Sequence, residues 1–114
     1  MSVYDLANKL ATGLTKSDEY KRYQEAVVKV KGNEKNEQIL SDLRSKQMEI
    51  QNMQMMGQSV PLEKIQDLEN LSQKLVDYDE VAEFLEAEFY FGQMIGDIQS
   101  TITQAVEFWT PPEK

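Results

Sequence analysis

A chain of 114 residues with 40% apolar and 28% charged residues has the composition of one folded domain and not of a disordered chain. It contains no cysteine and no histidine, which excludes disulfides, thiol nucleophiles, iron–sulfur and zinc-thiolate sites and the commonest general base. It has no run of about eighteen apolar residues, and its first residues do not resemble a signal peptide. We therefore expect a cytoplasmic protein that does not span a membrane.

The net charge of −8 is concentrated in the last third of the chain. Residues 77–114 contain nine Asp/Glu and one Lys/Arg, whereas residues 1–31 contain four and six. A chain this acidic repels phosphate backbones, so direct nucleic-acid binding is not expected. The acidic stretch has two interpretations: a docking face for a basic partner, or a solvated helix face that also meets the mildly basic N-terminal segment.

Residues 1–32 are predicted to form two short helices. Ser2 and Asp5 are typical of a helix N-terminus, and Thr15 or Ser17 is expected to cap the second helix. Gly32 is expected to end that helix in the left-handed conformation. The first helix is interpreted as a lid and not as a site, with an apolar face made of Val3, Leu6, Ala7, Leu10 and Leu14.

Residues 33–76 are predicted to form a helical hairpin. Asn33 starts a helix that runs to about Met56, Gly57 breaks it, and Pro61 opens the next helix after a loop short enough to require antiparallel packing. The end of the first helix is rich in methionine, whose flexible thioether suits promiscuous binding surfaces. This tip is either packed against a core or a dimer mate, or it is a partner surface formed by Met53, Met55 and Met56.

The stretch 77–109 is predicted to form one long helix, opened by a capping box of Asp77 and Glu80. Such a helix is roughly 48 Å long, whereas a compact monomer of this length is only about 34 Å across. An apolar stripe that extends past its own domain needs another surface, and a second copy of the chain can provide it. The residues predicted for the core and the self-association surface are Phe84, Phe91, Gly92, Ile95, Gly96, Ile98, Ile102 and Trp109.

Two features of this helix have more than one interpretation. Gly92 and Gly96 each cost a helix about 1 kcal/mol relative to alanine, which favours a close approach by another helix, so Gly96→Leu is expected to weaken a dimer. Glu88 is the only charged residue on the apolar seam. It either lies at the edge of the stripe, pairs with a Lys or Arg, or binds a metal together with Glu80 or Asp97.

Together these patterns predict a single all-α domain over residues 1–114: a bundle of about five helices with a long C-terminal helix and a short tail at 110–114, assembled as a homodimer. The predicted function is that of a non-enzymatic interaction or adaptor protein without a cofactor. One alternative is a holdase-like chaperone that uses the methionine-rich tip. The other is a carboxylate-metal enzyme that uses Glu80, Glu88 and Asp97.

Three short motifs carry a family resemblance: Gln54-Met55-Met56-Gly57, Leu85-Glu86-Ala87-Glu88 and Ile95-Gly96-Asp97-Ile98. With the helix order around them, they resemble the YlbF/YmcA family of small bacterial helical proteins, and most of all its YheA-like branch. The resemblance implies an all-helical, cytoplasmic, homo-oligomeric protein from a Gram-positive-type bacterium, without known enzymatic activity.

Some members of this family act in a multi-protein complex that affects competence, biofilm formation, sporulation and messenger-RNA processing. Those members are associated with iron–sulfur clusters bound by cysteine. The present chain has no cysteine, so the resemblance implies no such cluster here.

Overall fold

Five α-helices make up the part of the chain that the structure describes. The computed structural model describes residues 1–112, so the predicted tail at 110–114 is described only in part. The predicted all-α class with about five helices and a long C-terminal helix is confirmed. The helices are α1 (Val3–Thr15), α2 (Asp18–Lys31), α3 (Glu34–Met55), α4 (Leu62–Lys74) and α5 (Asp79–Ala105), with a 3-10 turn at Leu75–Asp77 before α5.

The first three helices begin at the caps that the sequence predicts. Ser2 and Asp5 form a capping box, in which the hydroxyl accepts from the Asp5 amide and the carboxylate accepts from the Ser2 amide. The Ser17 hydroxyl accepts from the Tyr20 amide at the start of α2. Asn33 accepts from two amides at the start of α3. Each cap satisfies amide groups that the helix itself leaves without partners.

Other helix ends differ from the predictions. Gly32 has an ordinary helical φ of −75° and is therefore not a left-handed cap. The capping box at Asp77 does not form, because Asp77 lies in the 3-10 turn and Glu80 accepts instead from the side-chain amide of Asn36. α5 ends at Ala105, four residues before Trp109, and Val106 is already extended. At about 1.5 Å per residue, α5 is roughly 40 Å long and not 48 Å.

The core consists of two small adjacent clusters of side chains that both include residues of α5 and share contacts with Leu40 and Leu85. α2 and α5 run antiparallel and bury Ala26, Val30, Phe84 and Ala87 between them. The α3–α4 hairpin, also antiparallel, joins the start of α5 through a second cluster of Leu43, Leu75 and Val81. Both clusters lie in the N-terminal half of α5, so the remainder of that helix extends beyond the core.

The molecule is flat and open. Its radius of gyration is 18.6 Å and its extents are 50 × 45 × 16 Å, whereas a compact chain of this length has a radius of gyration near 13 Å. The interpretation of α1 as a lid is wrong: α1 contacts only α2, and none of its residues is buried. A flat fold of this kind leaves much apolar side-chain surface uncovered by its own chain.

An exposed ion pair between Glu49 and Lys64 joins the two helices of the hairpin. The hydrogen bond from Lys64 lowers the pKa of the Glu49 carboxyl, and the same bond raises the pKa of the Lys64 amine. Because the carboxyl pKa of Glu49 is lowered in the folded state, the pair stabilises the fold at pH values above the unfolded-state pKa of this carboxyl. This contribution is lost as the pH falls through the folded-state pKa. Because the amine pKa of Lys64 is raised in the folded state, the pair stabilises the fold at pH values below the unfolded-state pKa of this amine. This contribution is lost as the pH rises through the folded-state pKa.

We therefore expect Lys64→Ala to lower the urea midpoint slightly at neutral pH, because an exposed pair contributes little. The difference from wild type should vanish in acid, once Glu49 is protonated, and again in strong alkali, once Lys64 is neutral. Lys74→Ala, an exposed change in the last turn of α4, is the matched control. If the urea midpoint of Lys64→Ala stays below that of the wild type by the same amount from acid to alkali, the pair has no electrostatic role.

Candidate functional site

The second half of α5 presents an apolar face that its own chain covers only in part. We define the α5 face as Met94, Ile95, Ile98 and Ile102. The first three side chains are half-buried, and Ile102 is 55% exposed. These positions recur every three or four residues, so they lie along one side of the helix. The face is long enough for a second helix to pack along it.

Other residues of the predicted self-association set lie elsewhere. Phe84 is buried in the core between α2 and α5. Phe91 packs against two tyrosines of α2, with ring centroids 5.1 Å from Tyr20 and 5.5 Å from Tyr23. Trp109 lies beyond the end of α5 and is 83% exposed. Phe84 and Phe91 thus hold α2 onto α5 within one chain, and the α5 face begins where these aromatic contacts end.

The two glycines of α5 face open space. A Cβ atom added to Gly92 or Gly96 would meet no other atom within 4 Å. No helix of the same chain therefore crosses α5 closely at either position, and the expected close approach does not occur within the described chain. Any helix that uses these bare backbone patches has to come from another molecule.

Cations of α2 and α3 neutralise much of the acidic side of α5. Arg22 pairs with Glu86 at 3.1 Å and Lys29 pairs with Glu83 at 3.2 Å, both from α2. The guanidinium of Arg44 on α3 pairs with Glu88. Of the interpretations of Glu88, the structure supports the ion pair. The first half of the acidic stretch also meets the basic N-terminal segment, as one of its two interpretations predicts.

The three carboxylates of the metal-enzyme alternative do not come together. Glu80 accepts from Asn36, and Glu88 pairs with Arg44. Asp97 lies nine residues further along α5 and on another side of the helix from Glu88. Within residues 1–112, no group of three or more acidic side chains is arranged to hold a metal ion.

A groove of about 580 Å³ opens between α2 and α5, next to the α5 face. The sequence patterns do not predict this groove. Its apolar lining comes from Ala87, Tyr90, Met94 and Ile98 of α5, and its charged lining from Asp18, Glu19, Arg22, Glu86 and Asp97. A signal was present in the sequence: apolar and acidic residues alternate at helical spacing along the flank of α5 beside the seam. We call this cleft the α2–α5 groove.

The methionine-rich tip of the hairpin projects away from the core. Met55 and Met56 are 78% and 74% exposed, and Met53 is half-buried. Gly57 turns the chain there with a φ of +73°, a conformation that favours glycine. Met55 and Met56 are therefore not packed into a core of their own chain, which leaves them accessible to another molecule.

None of the helices described over residues 1–112 combines the length and the apolar character that crossing a bilayer requires.

The chain is similar to uncharacterised bacterial proteins along almost its whole length. A UPF0342 protein of Caldicellulosiruptor bescii is 35% identical over 107 residues, which are 94% of this chain and 90% of that protein. A UPF0342 protein of Halothermothrix orenii is also 35% identical over 107 residues, covering 94% and 91%. A UPF0342 protein of Symbiobacterium thermophilum is 34% identical over 109 residues, covering 96% and 97%.

The fold has a solved counterpart in a protein of unknown function (DUF964) from Bacillus stearothermophilus, with a TM-score of 0.81, 16% sequence identity and 90% of each chain covered. The sequence model of the family described as "Control of competence regulator ComK, YlbF/YmcA" matches residues 3–107. This match spans all five helices and includes each motif on which the resemblance was based. The chain therefore belongs to the YlbF/YmcA family.

Proposed function

We propose that this protein is a non-enzymatic, cytoplasmic, self-associating adaptor with a regulatory role in a bacterial multi-protein complex. The α5 face is its main contact between copies. The single observation that carries the proposal is the open shape: the radius of gyration is 18.6 Å instead of about 13 Å, and the apolar second half of α5 lies outside the core. Surfaces of this kind are normally covered in an assembly.

The glycines lie on the side of α5 away from Ile98, so they support a second contact between copies beside the α5 face. Two glycines one turn apart weaken a helix interior, and no neighbour within the chain compensates for that weakness. Packing against a second copy of α5 would give both glycines a role, since bare backbone lets two helices approach closely. An antiparallel crossing of two α5 helices would also satisfy the two-fold symmetry of most homodimers.

The test is the solution mass measured by light scattering across a hundredfold dilution. A mass near twice the 13.2 kDa of the chain that persists on dilution is the expected result. Gly96→Leu should weaken the dimer, because its side chain would separate the crossing helices, whereas on an open helix surface it would raise helix propensity. A monomer at every concentration would refute self-association, and an unchanged dimer in Gly96→Leu would refute a crossing at this glycine.

The regulatory half of the proposal is supported by the family, whose description names control of the competence regulator ComK. An adaptor acts by contacts alone, so its regulatory effect should depend on the assembly and not on any single polar residue. Deletion of the gene in its own bacterium should change the level of a regulated transcript, and an assembly-defective variant should fail to restore it. Restoration by a strictly monomeric variant would contradict an adaptor that works as a dimer.

A second candidate function follows from the exposed methionines of the hairpin tip. A holdase-like chaperone binds unfolded chains through flexible apolar side chains, and Met55 and Met56 are exposed in this way. The expected result is suppression of the aggregation of a heat-unfolded test protein at stoichiometric amounts, followed by light scattering. Replacement of Met53, Met55 and Met56 by serine should abolish this effect, and no suppression by the wild-type protein would exclude the function.

A further inference from the structure

α1 is an amphipathic helix whose apolar side has no cover in its own chain. Helices as short as its 13 residues are marginal in water, and most gain stability by packing an apolar face. α1 nevertheless contacts only α2, and Val3, Leu6 and Leu10 are 79%, 54% and 41% exposed. Something outside this chain therefore has to cover the apolar side of α1 in the stable protein.

The α2–α5 groove has the length and chemistry to receive one side of such a helix, since its lining runs from Glu86 to Ile98, about 18 Å along α5. Met94 and Ile98 give it an apolar lining, and Tyr90 adds an aromatic ring over which the Arg22 guanidinium lies at 5.7 Å. Because Arg22 is the one cation among four carboxylates, the lining carries a net charge of −3. An apolar lining with acidic borders suits a helix that is apolar on one side and basic at its edges.

The charges of α1 complement those of the groove. Lys9 within α1 and Lys16 at its C-cap outnumber the one acid of this segment, Asp5. Lys9 lies on the flank of the apolar side, since it is one residue from Leu10 and three from Leu6. A helix docked by its apolar side would therefore place an ammonium group near the acidic border of the groove.

The α1 of the same chain does not reach this groove. Hydrogen bonds fix the bend between α1 and α2: the Ser17 hydroxyl donates to the Leu14 carbonyl at 2.7 Å and accepts from the Tyr20 amide at 3.2 Å. The Lys16 amide also bonds back to carbonyls of α1. This bend directs α1 away from α5, with which it makes no contact. The occupant has to come from a second molecule.

We propose that α1 of one copy docks in the α2–α5 groove of a second copy, and that the exchange is reciprocal. This inference rests on the proposed self-association and specifies its geometry. A 13-residue helix is about 20 Å long and about 10 Å wide, so one docked helix covers about 200 Å² in projection on each partner surface. Two reciprocal contacts cover about 800 Å², roughly half of a standard interface, and contact through the part of the α5 face that the docked α1 leaves free, at Ile95 and Ile102, adds to it.

The chain has no cysteine, so disulfide trapping can test this geometry without background. Chains that carry Val3→Cys, Leu6→Cys or Leu10→Cys are each mixed with differently tagged Met94→Cys chains. They are unfolded and refolded together, and then oxidised with copper phenanthroline in air. All these changes are at exposed or half-buried positions, and light scattering and circular dichroism verify the dimer and the helices of each variant before oxidation.

The expected result is a disulfide between the two differently tagged chains for at least one of the three α1 positions. It should form at least about tenfold faster than with Thr12→Cys, because docking raises the effective concentration of the two thiols. Thr12 lies on the opposite side of α1 from Leu10 and is the matched control.

Three results would overturn the docking. One is a dimer in which no α1 position reacts faster than Thr12→Cys; this leaves self-association intact. Another is a disulfide within a single chain of the Leu6→Cys/Met94→Cys double variant, since this would mean that α1 folds back onto its own groove. The third is a wild-type monomer by light scattering, which would remove the proposed self-association as well.

Discussion

Ile98→Asp is expected to convert the dimer into a monomer while leaving the helical content of the chain unchanged. Ile98 is half-buried in one chain and contributes both to the α5 face and to the α2–α5 groove. Because Ile98 is already partly buried in one chain, association adds only part of the roughly 1.5–3 kcal/mol that full burial of an isoleucine contributes. A carboxylate without a partner adds a desolvation cost of several kcal/mol at each copy. Since a two-fold interface contains the residue twice, the loss should exceed about 6 kcal/mol, or roughly four decades in Kd.

Sedimentation or light scattering across a concentration series measures this change, and far-UV circular dichroism reports the helices. The matched control is Ser100→Asp, which introduces the same charge two residues away on the exposed opposite side of α5. Ser100→Asp should leave the mass near that of the dimer, because the main contact is the α5 face and not the side of α5 that Ser100 shares with Gly96. If Ile98→Asp stays dimeric at micromolar concentration, the copies associate through another surface and the α5 face has been assigned incorrectly.

Much of the fold follows from local sequence signals. The caps at Ser2 and Asn33 are correct, and of the two candidates Thr15 and Ser17 the second caps α2, because a cap is made by a side chain and amides only two or three residues away. The hairpin of α3 and α4 is similarly local, since Gly57 and Pro61 leave too little chain for any other arrangement. Such elements can be read from sequence because no distant residue takes part in forming them.

The ends of α5 could not be predicted in this way. The pattern Asp77 and Glu80 fits a capping box, but Asn36, which is 44 residues away, binds the Glu80 carboxylate instead. The apolar stripe continues in sequence to Trp109, whereas the helix stops at Ala105. Hydrophobic periodicity shows which side of a helix is apolar, but it does not show where cover by other helices ends.

The same limit of hydrophobic periodicity applies to the candidate site. The stripe on α5 includes Ile95, Ile98 and Ile102, whose part in a contact between copies stays a prediction, and it also includes Phe84, which the structure places in the core of one chain. Periodicity does not separate a residue covered by its own chain from one covered by another. The α2–α5 groove went unpredicted because it depends on how α2 crosses α5, a contact between residues more than sixty positions apart.

Phe84→Ala is expected to destabilise the chain by about 3–5 kcal/mol, the usual cost of removing a fully buried phenylalanine ring. Phe84 is only 7% exposed, and its ring centroid lies 5.6 Å from that of Tyr23. A domain of this size is stable by only about 6–17 kcal/mol, so the loss is a large fraction of the total. The thermal midpoint should fall by roughly 10–25 °C, measured by circular dichroism at 222 nm.

Phe89→Ala is the matched control, since it removes the same ring from the same helix at a position that is 64% exposed. Phe89→Ala should lower the free energy of unfolding by less than about 1 kcal/mol, because little of this ring is buried. Both changes are best compared in the Ile98→Asp background, since dimerisation stabilises the folded state by mass action and would hide part of the loss at high protein concentration. Equal losses for the two phenylalanines in that background would contradict the packing of Phe84 between α2 and α5. A loss for Phe89→Ala that appears only in the dimer would instead mean that Phe89 contacts the second copy, and would extend the interface to the far side of α5.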